Sequence, residues 1–513
     1  MFNIQIKYRN KDIYIIYIYN IMDFDYGIYI FRKDLRIEDN RGLIKLQKKC
    51  KEIIPIFIFD PYQVKKTSKN KSYLAFRALR FLCESIEDLY KKINKEKSNL
   101  YIFNDTPNDV IEYLIKIIKK KYNNKKICLG YNEDFTEYSL KRDNLMNEIC
   151  KKHDITVLSN DDDYTLCDMK FLTKNDKLEP YKQYGAFRKN MLSKKSKFNK
   201  IDYTKINFHK EKIELKNLLD YRKLDKLWKD HVDENYKPLE IGQRELALKI
   251  LSELKKFKEY DTKRDTLSYS TTHLSAYLNF GLISEREFYE ALKNNLGEHS
   301  QLISQVIWRD YYLCLLRYLE KANSYDDHID SRYDKLKWTK EFDKNSKATK
   351  EWLLMMNSKT GFLLVDAALE EIKTTGYMHN RCRMIVGVFS VKYLLINPLC
   401  RYIGLNDWFS RYLLDCSASQ NKLNGQWVTE LDFPGKKFAP HGAVLAGRPM
   451  SIHNEMIKKW DPNCEYIKKW LPHLKDVDNK ILYKWDSKFD EKIHPKPMFN
   501  PKERYAKWIS LCE

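Results

Sequence analysis

The sequence lacks the usual marks of metal and dithiol chemistry. Its 11 cysteines are scattered, with no CxxC and no two at metal-site spacing. That excludes zinc knuckles and thioredoxin-like dithiols. An odd count of such cysteines reads as reduced, intracellular and mostly core. No apolar run is long enough to cross a bilayer, so no membrane partner is expected. The nearest is IYIIYIYNIM at 13–22, which is too short and has no small-residue cleavage site after it. It reads as an extra edge strand, or as an extension upstream of a start at Met22. Glycine is scarce, at 15 residues, and no GxGxxG turn follows the first strand of the main pattern. The usual dinucleotide fingerprint is therefore missing. Internal repeats and low-complexity tracts are missing as well.

Positive charge and aromatic rings are what the chain has in quantity. Lys and Arg number 93 against 71 Asp and Glu, a formal net charge of +22. A surplus of that size points to a polyanionic partner, nucleic acid first and an anionic membrane second. Part of it is compositional, since Asn, Ile and Tyr are abundant too. The 36 Tyr and 10 Trp can stack on bases or ring cofactors, and cores use them equally. A hydrophobic fraction of 43% over 513 residues describes a folded protein of two or three domains.

From Tyr26, GIYIF leads into RKDLRIEDN, and IIPIFIFD spans 53–60. Residues 75–93 repeat apolar positions at helical spacing. LYIF (100–103), a helix near 108–121, KICLGYN (126–132), a helix near 136–152 and ITVLS (155–159) continue the alternation. Strands apolar on both faces, alternating with helices, predict an α/β domain with a doubly wound parallel sheet. Residues 166–235 are polar and Lys-rich and read as a long linker across the surface. Past 240 the period is helical, over 241–256, 284–295, 300–320, 348–356, 363–374, 377–396 and 406–415. The expected organisation is an extension (1–22), an α/β domain (23–165), the linker (166–235), an all-helical domain (236–475) and a carboxy-terminal extension (476–513).

Four stretches carry candidate chemistry. In STTHLSAYLNFG, Ser270, Thr271, Thr272 and Ser275 crowd the start of a helix, where hydroxyls and free N–H groups can hold phosphate. Taken alone, the same hydroxyls read first as ordinary helix caps. In SQVIWRDYYLCLLRYL, Gln305 and Trp308 share a helix face beside Arg309 and Tyr312, a set able to stack on and hydrogen-bond a flat heterocycle. A core Trp under a snorkelling Arg explains it as well. In GYMHNRCRMIVGVF, apolar residues claim most of the helix circumference, so some of His379, Asn380, Arg381 and Arg383 must meet something buried or bound. Asn380 and Met384 share one face, and Arg381 lies beside them. LLDCSASQNKLNGQWV offers Asp415, Asn421, Asn424 and Trp427 in a loop.

In order and spacing, these stretches resemble the photolyase/cryptochrome family over about 26–475, most closely the enzymes that split cyclobutane pyrimidine dimers. IFRKDLRIEDN, YDTKRD, TTHLS, WRDYY, TGFLLVDAALEEIKTTGYMHNRCRM and KKWLPHL carry the resemblance. It implies that the helical domain binds FAD and that the partner is UV-damaged DNA. Carried over by position, Tyr260, Thr271, Thr272, Leu274 and Ser275 hold the FAD phosphates. Arg309 and Ser417 join the cofactor set, Arg383 and Asp415 pair against the isoalloxazine, and Asn421 faces its N5. Gln305, Trp308, Asn380, Arg381, Met384 and Trp427 line the lesion pocket, and Arg264 contacts DNA. Enzymes acting on the (6-4) lesion have a second His where this chain has Asn380. The implied reaction is electron transfer from light-excited reduced FAD to a flipped-out dimer, with no metal. An intracellular monomer is expected.

The chain departs from the family at four places. Gly425 stands where a Trp usually starts the electron relay, and Pro398 matches its middle Trp. Trp338 alone matches the outer end, so the usual relay is expected to be broken, with Trp408, Tyr393, Tyr402 or Tyr412 as substitutes. Gln305 replaces a common Glu, and Cys416-Ser417 replaces the Gly-Asp after Asp415. Tyr138-Ser139 replaces the Asn-Glu of a folate antenna, so the identity of a second chromophore stays open. Alternatives are a cryptochrome-like blue-light receptor, a DASH-type enzyme for single-stranded DNA, or a DNA-binding scaffold without flavin.

Overall fold

The computed structural model describes the backbone of residues 3–9 and 12–18, and residues 22–64, 76–175, 177–231, 235–319, 328, 331, 333–400, 403–417, 419–425 and 454–512. Strands β1 (Asn3–Arg9) and β2 (Asp12–Ile18) pair antiparallel as a sheet of their own. Residues 13–18 of that apolar run thus lie in a strand, whose partner is 3–9 and not the edge of the main sheet, and residues 19–21 lie outside the described residues.

The main sheet is parallel. It comprises β3 (Phe24–Phe31), β4 (Cys50–Phe59), β5 (Tyr101–Asn104), β6 (Ile127–Asn132) and β7 (Thr156–Asn160), in the order β5-β4-β3-β6-β7. Alternate residues of each strand feed two cores. Ile28, Ile30, Ile54, Ile56 and Leu129 face α3 (Pro107–Lys121) and α4 (Glu137–Lys152). Tyr29, Phe31, Ile53 and Phe57 face the side of α1 (Arg41–Gln47) and α2 (Phe76–Lys95). Burial on both faces is why these strands read as nearly continuous apolar runs.

Residues 166–235 do more than cross the surface. Leu166, Met169, Leu172, Phe187, Met191, Ile206 and Phe208 are buried in the core that the sheet shares with the helical half. This stretch also forms α5 (Tyr184–Ser193), packed on α8 (Gln301–Tyr318). The buried apolar residues come in ones and twos between polar and charged runs, so no sustained period announces their burial.

The helical half contains α6 (Arg244–Ser252), α7 (Glu285–Leu296) and α8, then α9 (Lys347–Met356), α10 (Leu363–Thr375), α11 (Asn380–Val388), α12 (Leu405–Tyr412) and α13 (Pro501–Cys512). Ser284 and Glu287 close a capping box on α7. The single helix expected over 377–396 is interrupted. Gly376 takes φ +76 and ends α10, His379 caps α11, and Phe389–Tyr393 continues as a π turn. Within the expected carboxy-terminal extension, α13 docks back through Trp508 against Trp338 and through Arg504 paired with Glu351.

Buried charges join the two halves. Arg286 of α7 donates to Asp39 Oδ2 (2.8 Å) and to the carbonyls of Asp39, Asp163 and Thr165. Arg36 donates to Asp163 (2.7 Å) and to the Gly281 carbonyl (3.1 Å). All four charged side chains are at most 1% exposed. Gly281 (φ +68) presses so closely that an added Cβ would meet Lys33 O at 2.0 Å. Only glycine suits that contact. Among the described residues, no helix is long and apolar enough to cross a membrane.

Candidate functional site

A cavity of about 410 Å³ opens in the helical half, within the range of small-molecule and cofactor sites. One end is built for an anion. Thr271, Thr272, Leu274 and Ser275 line it together with Tyr260. His273 adopts φ +53 and Leu274 follows in the right-handed helical region. A left-handed residue followed by a right-handed one turns successive N–H groups toward one point, a nest for negatively charged oxygens. His273, absent from the sequence-based set, lines the wall and is held by Glu240 at 2.8 Å.

Arg383 and Asp415 also line the cavity, Nη2 lying 2.9 Å from Oδ2. Burial opposes the guanidinium's charge, but Asp415 outweighs it and keeps Arg383 firmly protonated. The Nε of Arg383 donates to the Met378 carbonyl at 2.9 Å, so the fork is held from both sides. The turn ended by Gly376 and capped by His379 sets this position. His379 Nδ1 accepts from Arg381 N, which leaves the ring proton on Nε2. Burial and then the Arg381 charge hold His379 down to about 4, so it is neutral. Its buried Nε2 has no partner among the described residues.

The other wall comes from α8 and the first turns of α11. Gln305, Trp308, Arg309 and Tyr312 meet Asn380, Arg381 and Met384 there. Arg309 is already committed to Glu285 (2.6 Å) and to the Leu278 carbonyl (2.9 Å). Arg381 gives Nε and Nη2 to Asp265 Oδ1 (2.9 and 2.6 Å), and Nη1 to Met384 Sδ (3.0 Å). Arg381 is therefore already engaged within the chain, by Asp265. Arg264 lies at the same mouth, 3.9 Å from Asp265.

Several expected site residues sit elsewhere. Asn421 is not on the cavity wall; its amide donates to Cys416 Sγ at 3.0 Å. Residues Gln420–Asn424 form a π turn, and Gln420 and Asn424 are the residues of it that line the wall. Asn424 accepts from the Tyr312 hydroxyl at 3.1 Å. Ser417 lines a separate small crevice with Lys33 and Asp134. Trp338 packs against His328 and Trp508, and Trp408 against Phe409 and Tyr412; neither lines the cavity. Trp427 and Tyr402 lie outside the described residues.

The cavity's donor set fits FAD. The hydroxyl-lined nest suits its diphosphate, the Arg383–Asp415 pair offers a fixed dipole to a polar ring, and Leu278, Phe288 and Val306 supply apolar wall. Fold and cavity define the class, a two-part flavoprotein. Residues 27–205 match the DNA photolyase family, and residues 302–513 match the FAD-binding domain of DNA photolyase. The chain belongs to the photolyase/cryptochrome family.

Its relatives divide over substrate. A deoxyribodipyrimidine photo-lyase of Buchnera aphidicola is 28% identical over 514 residues, spanning 94% of this chain and 95% of the relative. A (6-4)DNA photolyase of Arabidopsis thaliana is 25% identical over 506 residues, spanning 91% and 84%. The crystal structure of an archaeal photolyase from Sulfolobus tokodaii with two FAD molecules superposes with a TM-score of 0.76 at 25% identity, covering 95% of this chain and 99% of that one.

Proposed function

We propose that this protein is a light-driven DNA repair enzyme that splits cyclobutane pyrimidine dimers. The observation that carries the reading is one cavity holding both residue sets. Thr271, Thr272, Ser275, Arg383 and Asp415 share it with Gln305, Trp308, Asn380, Arg381 and Met384. When bound and reduced, FAD supplies the light-absorbing one-electron donor for this chemistry.

The chain's own residues bind and orient. The surplus of basic residues holds the phosphate backbone, with affinity that falls as salt rises. A dimer has already lost part of its pairing, so its flipping into the cavity costs only a few kcal/mol. Trp308 stacks on a pyrimidine ring, while Asn380 and Gln305 hydrogen-bond its polar edge. Asn380 supplies an amide where a (6-4) enzyme has a second histidine, which favours the cyclobutane lesion.

The direct test illuminates the reduced protein with dimer-containing DNA, single- and double-stranded, and follows recovery of thymine absorbance. Recovery on both strand forms supports the proposal. Recovery on single strands alone favours a DASH-type enzyme, and none, with FAD retained, favours a light receptor. A second expectation concerns Gln305. A protonated carboxyl is a stronger donor to an electron-rich carbonyl than an amide is. Gln305→Glu is therefore expected to raise the repair yield per photon by about twofold. An unchanged yield would count against a contact between residue 305 and the lesion.

A further inference from the structure

The family motifs bring Trp308 to the cavity, but they do not explain what holds its ring there. Tyr184, the first residue of α5, lies face to face with the Trp308 indole, ring centroids 3.5 Å apart and planes 6° apart. Trp308 lines the cavity and Tyr184 does not, so the phenol backs the indole on the side turned away from the opening. The phenol is itself fixed. Its hydroxyl donates to the Ser304 carbonyl at 2.9 Å, one helical turn before Trp308 on the same helix. Beside it, Tyr311 of α8 donates to the Lys182 carbonyl at 2.9 Å, and Phe187 of α5 packs on the Tyr311 ring. Tyr312 also stacks on the indole, at 5.3 Å and 27°, and its hydroxyl donates to Asn424 Oδ1.

We propose that Tyr184 is a positioning residue for lesion recognition: it sets the plane of Trp308, so that a flipped pyrimidine meets an indole already fixed in orientation. This rests on the dimer-repair reading of the cavity. An indole on an unbacked helix face swings between rotamers, and each must be frozen when a base binds. Backing one face by a ring pinned to the same helix leaves that cost out of binding. The stretch that reads from its composition as a linker thereby contributes to selectivity.

The test measures affinity in the dark for one oligonucleotide with and without a single thymine dimer, alongside FAD absorbance. Tyr184→Leu is expected to weaken dimer binding by about twofold to twelvefold, the range of an aromatic pair. Binding to undamaged DNA and FAD content should stay as in the parent protein, which shows that the fold survives. Tyr184→Phe keeps the ring and should restore dimer binding to within about twofold of the parent. Parent-like dimer binding by Tyr184→Leu overturns the inference. So does an equal loss in Tyr184→Phe, which would transfer the effect to the Ser304 hydrogen bond. Trp308→Ala separates the two levels: if it leaves the preference for the dimer intact, the lesion-pocket reading itself fails.

Discussion

Arg383→Leu is expected to yield a colourless protein. The substitution leaves the Asp415 carboxylate, 9% exposed, without its partner at the edge of the cofactor cavity. Removing one member of a buried hydrogen-bonded charge pair costs about 2–5 kcal/mol, much of it from the charge left behind. Read as FAD affinity, that is a loss of roughly thirtyfold to several thousandfold. Absorbance of the flavin after gel filtration measures it directly. Arg383→Lys should recover little, because an ammonium cannot supply the fork that reaches both Asp415 and the Met378 carbonyl. Arg383→Leu combined with Asp415→Asn should regain part of the affinity, since no uncompensated charge remains. A yellow Arg383→Leu protein would remove the ion pair from the account of cofactor binding.

The second large effect concerns stability. Arg286→Met should lower the free energy of unfolding by about 3–5 kcal/mol, the cost of breaking a buried ion pair from one side. Asp39 then loses its closest cation while staying fully buried, and the carbonyls of Asp163 and Thr165 lose their donor. Arg36 still pairs with Asp163, so the network is weakened and not erased. Because Arg286 ties the helical half to the strand-end loop, urea unfolding followed by tryptophan fluorescence and by far-ultraviolet circular dichroism should separate into two transitions. A single transition with less than about 1 kcal/mol lost would show that apolar packing alone joins the halves.

The two faces of this protein differed in how far they could be read from residues alone. Both-face apolar strands such as GIYIF and IIPIFIFD declare a covered parallel sheet, because burial on two sides leaves no polar alternation. The helices over 285–296, 301–318 and 363–375 declare themselves by period. The stretch 166–235 does not, because its buried residues come in ones and twos between charged runs, and the short period of Tyr184, Phe187 and Met191 covers one helix only. The π turn at 420–424 is equally silent. Within it Gln420 and Asn424 line the wall and Asn421 does not. Arg383 and Asp415 are 32 positions apart, and only the family resemblance joined them in advance.

The sequence by itself determined the order of elements, the basic surface and the family, since periodicity, charge and motif spacing are properties of the chain. Only the tertiary structure decided which polar groups share a cavity, which cations are already occupied and which ring backs Trp308. Those depend on the rotation of each helix about its axis and on contacts between residues far apart along the chain, and neither is written in local spacing.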